Sequence, residues 1–162
     1  MPNVPFDLLL VTCVYEKADG PRQARDLYRS PYFLRLRRYA ERHGRPWFIV
    51  SAEHGLVRPD EWLAPYERYL PDTPDWYQEV WGRWVVTRLR LLAGDLAHRT
   101  VELHVSRPYA ARIVPWLTRV GATVRQPVAE LSLDEQAAWL EGGSMRPATG
   151  PGPLPRTGRT PG

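Results

Sequence analysis

Residues 1–141 read as a single α/β domain: a three-layer sandwich with a four-stranded, mostly parallel sheet and helices on both faces. Three observations predict it. Phe6–Val14 (FDLLLVTCV) and Trp47–Val50 (WFIV) are continuous apolar runs without polar alternation, the pattern of strands buried on both sides. Between and after them lie segments with apolar residues at helical spacing, bounded by capping and breaking residues. The resulting order, βα–βα–βα–βα, suits a parallel sheet whose right-handed crossovers put helices on its two faces.

Phe6–Val14 is the first strand, with Cys13 and Lys17 at and beyond its carboxyl end. Asp19-Gly20-Pro21 is turn chemistry, and Arg22–Ser30 is ambiguous between one helical turn and a loop. Ser30 has the features of an N-cap with Pro31 at the first helical position. The helix that follows carries Tyr32, Phe33, Leu36, Tyr39, Ala40 and His43 on one face and Arg35, Arg38 and Arg42 on the other, and Gly44 ends it. Trp47–Val50 is the second strand. It breaks at once into Ser51-Ala52-Glu53-His54-Gly55, at the kind of strand end where open α/β sheets bind ligands. Gly55, Pro59 and Pro65 are expected to keep the segment to Tyr69 irregular, with Trp62, Leu63, Tyr66 and Tyr69 packing it back over the strand ends.

Asp72-Thr73-Pro74 starts a second helix running to about Ala93, with a stripe of Tyr77, Val80, Trp81, Trp84, Val85, Leu89 and Leu92. At that spacing Trp76, Trp81 and Trp84 read as core rather than as base-stacking rings. Thr100–Ser106 alternates as a strand, and Pro108–Val120 is a helix expected to kink or restart at Pro115. Ala122–Val128 is the fourth strand. Leu131–Leu140 is a short helix capped by Ser132, with Glu135 completing a capping box. From Gly142 to Gly162 the composition collapses to Gly, Pro, Thr and Arg, which cannot bury a core, and disorder is expected.

With 43% hydrophobic residues among 162, the chain is rich enough in apolar side chains to build a core. No run reaches the roughly 18 apolar residues of a membrane span. Met1–Asp7 lacks the regions of a signal peptide, so a cytoplasmic protein with no membrane partner is expected. Cys13 is the sole cysteine, which rules out an internal disulfide, and His43, His54, His98 and His104 show no ligand spacing. Neither a metal nor a cofactor is expected. Of the net charge of +4, Arg146, Arg156 and Arg159 supply +3, which leaves 19 basic against 18 acidic residues before them. Nucleic-acid binding therefore needs a local patch, not net charge.

Of the 22 Lys plus Arg residues, 21 are arginine and Lys17 is the one lysine. It stands there either for its amine, which can lose a proton and attack a carbon, or as one codon that survived a coding bias towards arginine. Cys13, four residues before it, is either a thiol whose thiolate Lys17 favours or a small buried hydrophobe. His54 is a candidate general acid/base with Glu53 as its orienting partner, or a loop histidine bonded to backbone. Arg22, Arg25, Arg29, Arg35, Arg38 and Arg42, with Tyr28, Tyr32 and Tyr39 among them, form either a phosphate-facing patch or a solvated face diluted by Asp19, Asp26 and Glu41. G-x-S-x-G, G-x-G-x-x-G after the first strand and the P-loop motif do not occur, which disfavours hydrolase-elbow, dinucleotide and P-loop readings.

In order, Cys13-x-x-x-Lys17, Ala24–Ser30 leading to Phe33, Phe48–Ala52 with His54-Gly55-Leu56-Val57 and Pro59, then Pro65-Tyr66 and Leu70, resemble the domain-of-unknown-function family sixty-eight eighty-four. A looser match runs through Tyr109, Gly121, Pro127 and Leu131 to Trp139. More distantly, Ser51–Tyr66 is similar to the YaaA peroxide-stress proteins, implicated in binding DNA. The Cys-x-x-x-Lys strand end is similar to the core domain of archaeosine synthase, which modifies a deazaguanine base in tRNA and has a uracil-DNA-glycosylase-like fold. Of that synthase's motif only Cys13 and Lys17 carry over.

These resemblances imply a nucleic acid or nucleotide partner. The function expected is an enzyme acting on a nucleobase or nucleotide, by N-glycosidic cleavage or base modification. Lys17 would be nucleophile or electrostatic stabiliser, with Cys13 assisting it or itself attacking. His54 and Ser51 would hold the base or shuttle a proton, Gly55 would line the substrate site, Tyr66 would stack on the base, and Arg25 and Arg29 near Tyr28 would take phosphate. A non-catalytic DNA-binding module and a protein-interaction domain are the alternatives.

Overall fold

A computed structural model describes residues 4–142. The disordered tail expected from Gly142 to Gly162 falls, beyond its first residue, outside the described residues. The central sheet contains β1 (Leu8–Thr12), β3 (Trp47–Ser51), β4 (Gly55–Val57), β6 (Thr100–His104) and β7 (Thr123–Arg125), in the order β4-β3-β1-β6-β7. All neighbours are parallel except β3 and β4. Leu8–Val11 of β1 are fully buried because β1 is the central strand, with Leu10 opposite Phe48 on one side and Leu103 on the other. This is the reason its sequence shows no polar alternation.

Helices cover both faces. Leu8, Leu10, Val101 and Leu103 pack against α3 (Asp75–Ala93) and α4 (Arg107–Arg119) through Val85, Leu89, Ile113 and Leu117. Leu9, Val11 and Ile49 pack against α1 (Ala24–Leu27), α2 (Pro31–His43) and α5 (Leu133–Leu140) through Leu27, Phe33, Leu36 and Leu140. Ser30 caps α2 by accepting the Phe33 amide at 3.0 Å, and Ser132 with Glu135 forms the capping box of α5. Among the described residues no helix is long and apolar enough to cross a membrane.

Four expectations need correction. The sheet has five strands, not four: Gly55–Val57 turns back on β3, pairing Val50 with Leu56 and Ile49 with Val57. Gly55 makes that return at φ 80°, where a Cβ would also stand 2.6 Å from the Trp84 ring. Three residues are too few to show strand periodicity. In the same segment β5 (Trp62–Leu63) pairs with β2 (Arg22–Gln23), so the stretch expected to be irregular contains two short strands. The buried face of α3 is shifted as well: Trp81, Gly82, Val85, Val86 and Leu89 are buried, whereas Val80 and Trp84 are exposed, as is Trp76. Gly82 is the cause, since a Cβ there would lie 2.1 Å from the Arg112 carbonyl oxygen, so α4 packs against α3 at this bare point. Finally, α4 does not restart at Pro115 but runs through it as one helix.

Chain order carries β1 to β3 on one side and then back across to β6 and β7 on the other. The strand order therefore reverses between β1 and β6, and the crevice beyond their carboxyl ends is the place where open α/β sheets accept ligands.

Candidate functional site

A cleft of about 470 Å³ occupies that crevice. Thr12–Tyr15 and Lys17 form the β1 wall. His104–Arg107 and Tyr109 form the β6–α4 wall, Glu67–Tyr69 lie across the mouth, and Tyr32 and Gln136 close the α2–α5 side.

The β1 wall is built by folding the chain back on itself. Lys17 forms a β-bridge with Tyr28, flanked by Ala18 N–H to Leu27 carbonyl at 2.7 Å and Arg29 N–H to Glu16 carbonyl at 2.8 Å. This pins the half-buried Lys17 with Nζ 4.4 Å from the centre of the Tyr66 ring, 5.7 Å from Tyr28 and 5.9 Å from Tyr15, donating to the Tyr15 carbonyl at 3.3 Å. Such contacts suit an ammonium electrostatically. Burial nonetheless draws the amine below its ordinary pKa, against the opposing pull of Cys13 and Glu67.

Tyr66 is fixed from behind. Its hydroxyl shares a 2.6 Å hydrogen bond with the Tyr28 hydroxyl and accepts one from Ser51 Oγ at 2.8 Å, while Ser51 Oγ accepts the His54 amide at 3.1 Å. Burial, with Cys13 nearby, pushes the Tyr66 phenol far up, so it stays neutral. The ring is therefore a fixed platform under Lys17, and Lys17 occupies one of its faces.

Cys13 is half-buried and lines the cleft. Burial pushes its thiol above the ordinary 9.0, outweighing the Ala52 backbone, Tyr66 and Lys17, which favour the thiolate. The effect expected of Lys17 is present but is the weaker one, and Cys13 is a neutral thiol. His54 packs edge-on to Tyr66, with ring centres 5.3 Å apart, and is exposed without lining the cleft. Glu53, its expected orienting partner, is bonded instead to Arg68 at 2.6 Å.

Cys13 and Lys17 are thus brought together in the cleft, with Tyr66, Ser51 and Tyr28 directly behind them. Gly55, Arg25 and Arg29 are not part of it. Gly55 serves the β3–β4 return, and Arg25 donates to Gln23 at 2.7 Å. The arginine face of α2 is also engaged: Arg35 pairs with Glu141 at 3.0 Å, Arg37 with Asp26 and Glu41, and Arg42 donates to the Leu140 carbonyl. Among the described residues no group of three or more His, Cys, Asp or Glu side chains is placed to hold a metal ion.

The opposite wall contains residues that the sequence did not single out. Glu102 and His104 alternate to one face of β6 and are both buried. Glu102 accepts from the Tyr39 hydroxyl at 2.5 Å, from His104 Nε2 at 2.8 Å and from Arg125 Nε at 2.8 Å. Burial opposes ionisation of Glu102, but these donors together hold its carboxyl below the ordinary 4.5. The signal available was a carboxylate and an imidazole two apart at a strand end.

An open-sheet α/β protein with a cleft at its strand-order reversal is the class this geometry defines. The chain belongs to the family of unknown function DUF6884, whose model matches residues 8–142. The uncharacterized protein YfjM of Bacillus subtilis (strain 168) is 45% identical over 45 residues, 28% of this chain and 30% of that protein. The match thus spans under a third of that relative's length. No solved structure matches the chain.

Proposed function

We propose that the chain is a cytoplasmic enzyme acting on a nucleobase or nucleotide, by N-glycosidic cleavage or base modification, on a uracil-DNA-glycosylase-like variant of the three-layer fold. The observation that carries the reading is Lys17: the one lysine of the chain, held over the Tyr66 ring at the mouth of the cleft, with burial favouring its neutral form. The likeness of Cys13-x-x-x-Lys17 to the archaeosine synthase core supports the nucleobase class.

Lys17 is nucleophile or fixed positive charge in this reading. Cys13, as a neutral thiol, donates a hydrogen bond. Tyr66, Ser51 and Tyr28 hold the amine in place, with His54 packed against Tyr66. Phosphate falls to Arg68 and Arg107, which line the cleft, rather than to Arg25 and Arg29. The test is a base-release and base-modification assay on genomic DNA, bulk tRNA and a nucleotide pool, read by mass spectrometry. A product formed by the wild type and not by Lys17→Arg supports the reading, and no product from any pool ends it.

A non-catalytic nucleic-acid-binding module is the second reading. On its side are Arg83 and Arg119, 5.4 and 5.3 Å from the Trp116 ring in a groove between α3 and α4 that also contains Arg90. It requires DNA retention that falls steeply with salt and is lost in R83E/R119E.

A further inference from the structure

One buried side-chain atom of the Glu102 network has no hydrogen-bond partner. His104 Nδ1 is the sole buried side-chain nitrogen or oxygen among the described residues with no hydrogen-bond partner. A buried acceptor left empty is costly, and native folds seldom keep one without a use for it. A histidine kept only for packing would have both nitrogens satisfied, as polar groups in cores usually do.

The placement of His104 gives the empty nitrogen a use. His104 ends β6 opposite Val11 of β1, and it lines the same cleft as Cys13 and Lys17. Its ring is fully buried and is held between Tyr39 and Trp139, with centres 5.2 and 5.6 Å away. Glu102 can only accept, so Nε2 carries the proton in that bond, and a neutral ring then presents Nδ1 as a bare lone pair. Glu102 is itself fixed by Tyr39 and Arg125. A carboxylate that sets the tautomer of an imidazole, and balances the charge when the ring gains a proton, is the arrangement used by carboxylate–histidine bases.

We propose that His104 is the proton acceptor of the cleft, with Glu102 as its positioning residue. This rests on the enzymatic reading above and adds to it the base that Lys17 lacks. In the step, an O–H or N–H bond of the bound nucleotide breaks and its electron pair stays on the ligand. The proton forms the Nδ1–H bond, and the imidazolium is balanced by Glu102.

Imidazole nitrogen spectra of the full chain, labelled at histidine and assigned with H104Q, read the two atoms directly. The expected tautomer has Nε2 protonated and Nδ1 bare, and a protonated Nδ1 overturns the proposal. Guanosine 5′-monophosphate brings a ring N–H, whereas ribose 5-phosphate brings hydroxyls and no base. A shift of Nδ1 with the first alone assigns the donor to the base, and a shift with both assigns it to a hydroxyl. No shift with either overturns the proposal. In turnover, H104Q keeps a polar atom for Glu102 and removes the basic nitrogen, so kcat is expected to fall about 100-fold with KM kept. Full activity of H104Q overturns the proposal while leaving the enzymatic reading intact. If the wild type forms no product from any pool, that reading fails by itself, and the nitrogen spectra decide whether Nδ1 meets a ligand.

Discussion

The two walls of the cleft hang from neighbouring strands and are built on opposite principles. On the β1 side a half-buried amine rests on a neutral aromatic platform, and each hydroxyl behind it is bonded to another neutral group. On the β6 side a fully buried carboxylate gathers a phenol, an imidazole and a guanidinium, and one nitrogen is left over. Desolvation acts on both. In the first wall it prevails, drawing Lys17 down and Cys13 up against weaker opposing contacts. In the second it is overcome, because three donors converge on Glu102. The lesson is that burial alone shifts a group towards its neutral form, whereas burial with convergent donors holds a charge in place.

The largest test of that contrast is Lys17→Arg. It keeps a positive charge over Tyr66 but removes the titratable amine, and turnover of the substrate found in the assay should fall about 1000-fold or more with the melting temperature little changed. An active Lys17→Arg enzyme would reduce the first wall to a cation site.

Next is Glu102→Ala. Breaking one partner of a buried ionic network costs on the order of 3 kcal/mol, to be seen in urea unfolding. The pH dependence follows from the carboxyl being held below its ordinary value: its stabilisation is present above about pH 4.5 and is lost as the pH falls through the lower folded value. Glu102→Gln should flatten that acid limb. An unchanged limb would show that the carboxylate is no better stabilised in the fold than in the open chain.

Tyr66→Phe probes the neutral platform. It keeps the ring under Lys17 and leaves the Tyr28 and Ser51 hydroxyls without their partner, so a loss of about 1–2 kcal/mol is expected, with no new pH dependence below neutrality. The smallest effect concerns Cys13. Its alkylation by iodoacetamide should be slow and should accelerate only above the ordinary thiol range. Lys17→Gln should slow it a further few-fold, since Lys17 favours the thiolate. Faster alkylation in that variant would mean that Lys17 shields the thiol rather than activating it.

The first wall was legible in the sequence and the second was not, for a physical reason. Lys17 stood out by composition, Cys13 by its position at the end of an apolar run, and Tyr66 by a family motif, all local properties. The Glu102 network exists only once Tyr39 of α2 and Arg125 of β7 are brought to β6, and neither residue has a local signature. The sheet shows the same division. Long buried strands announce themselves by hydrophobicity, whereas β4 is defined by its pairing with β3 and by the bend at Gly55. The outward face of α3 was misjudged because Gly82 contributes nothing to an apolar stripe and yet fixes where α4 packs. The pairing of Glu53 with Arg68, fifteen residues on, is again a contact that a short motif cannot contain.

The adjacency of β1 and β6 has a mechanical consequence. Thr12 and His104 are carried by strands laced together by backbone hydrogen bonds about 4.8 Å apart, so the floor between the walls has no hinge. A guest cannot widen it without unzipping the centre of the sheet. The segment over the mouth, Glu67–Tyr69, belongs to no sheet strand and is exposed. Accommodation of differently sized guests therefore belongs to the roof, and the spacing between the ends of β1 and β6 behaves as a fixed gauge.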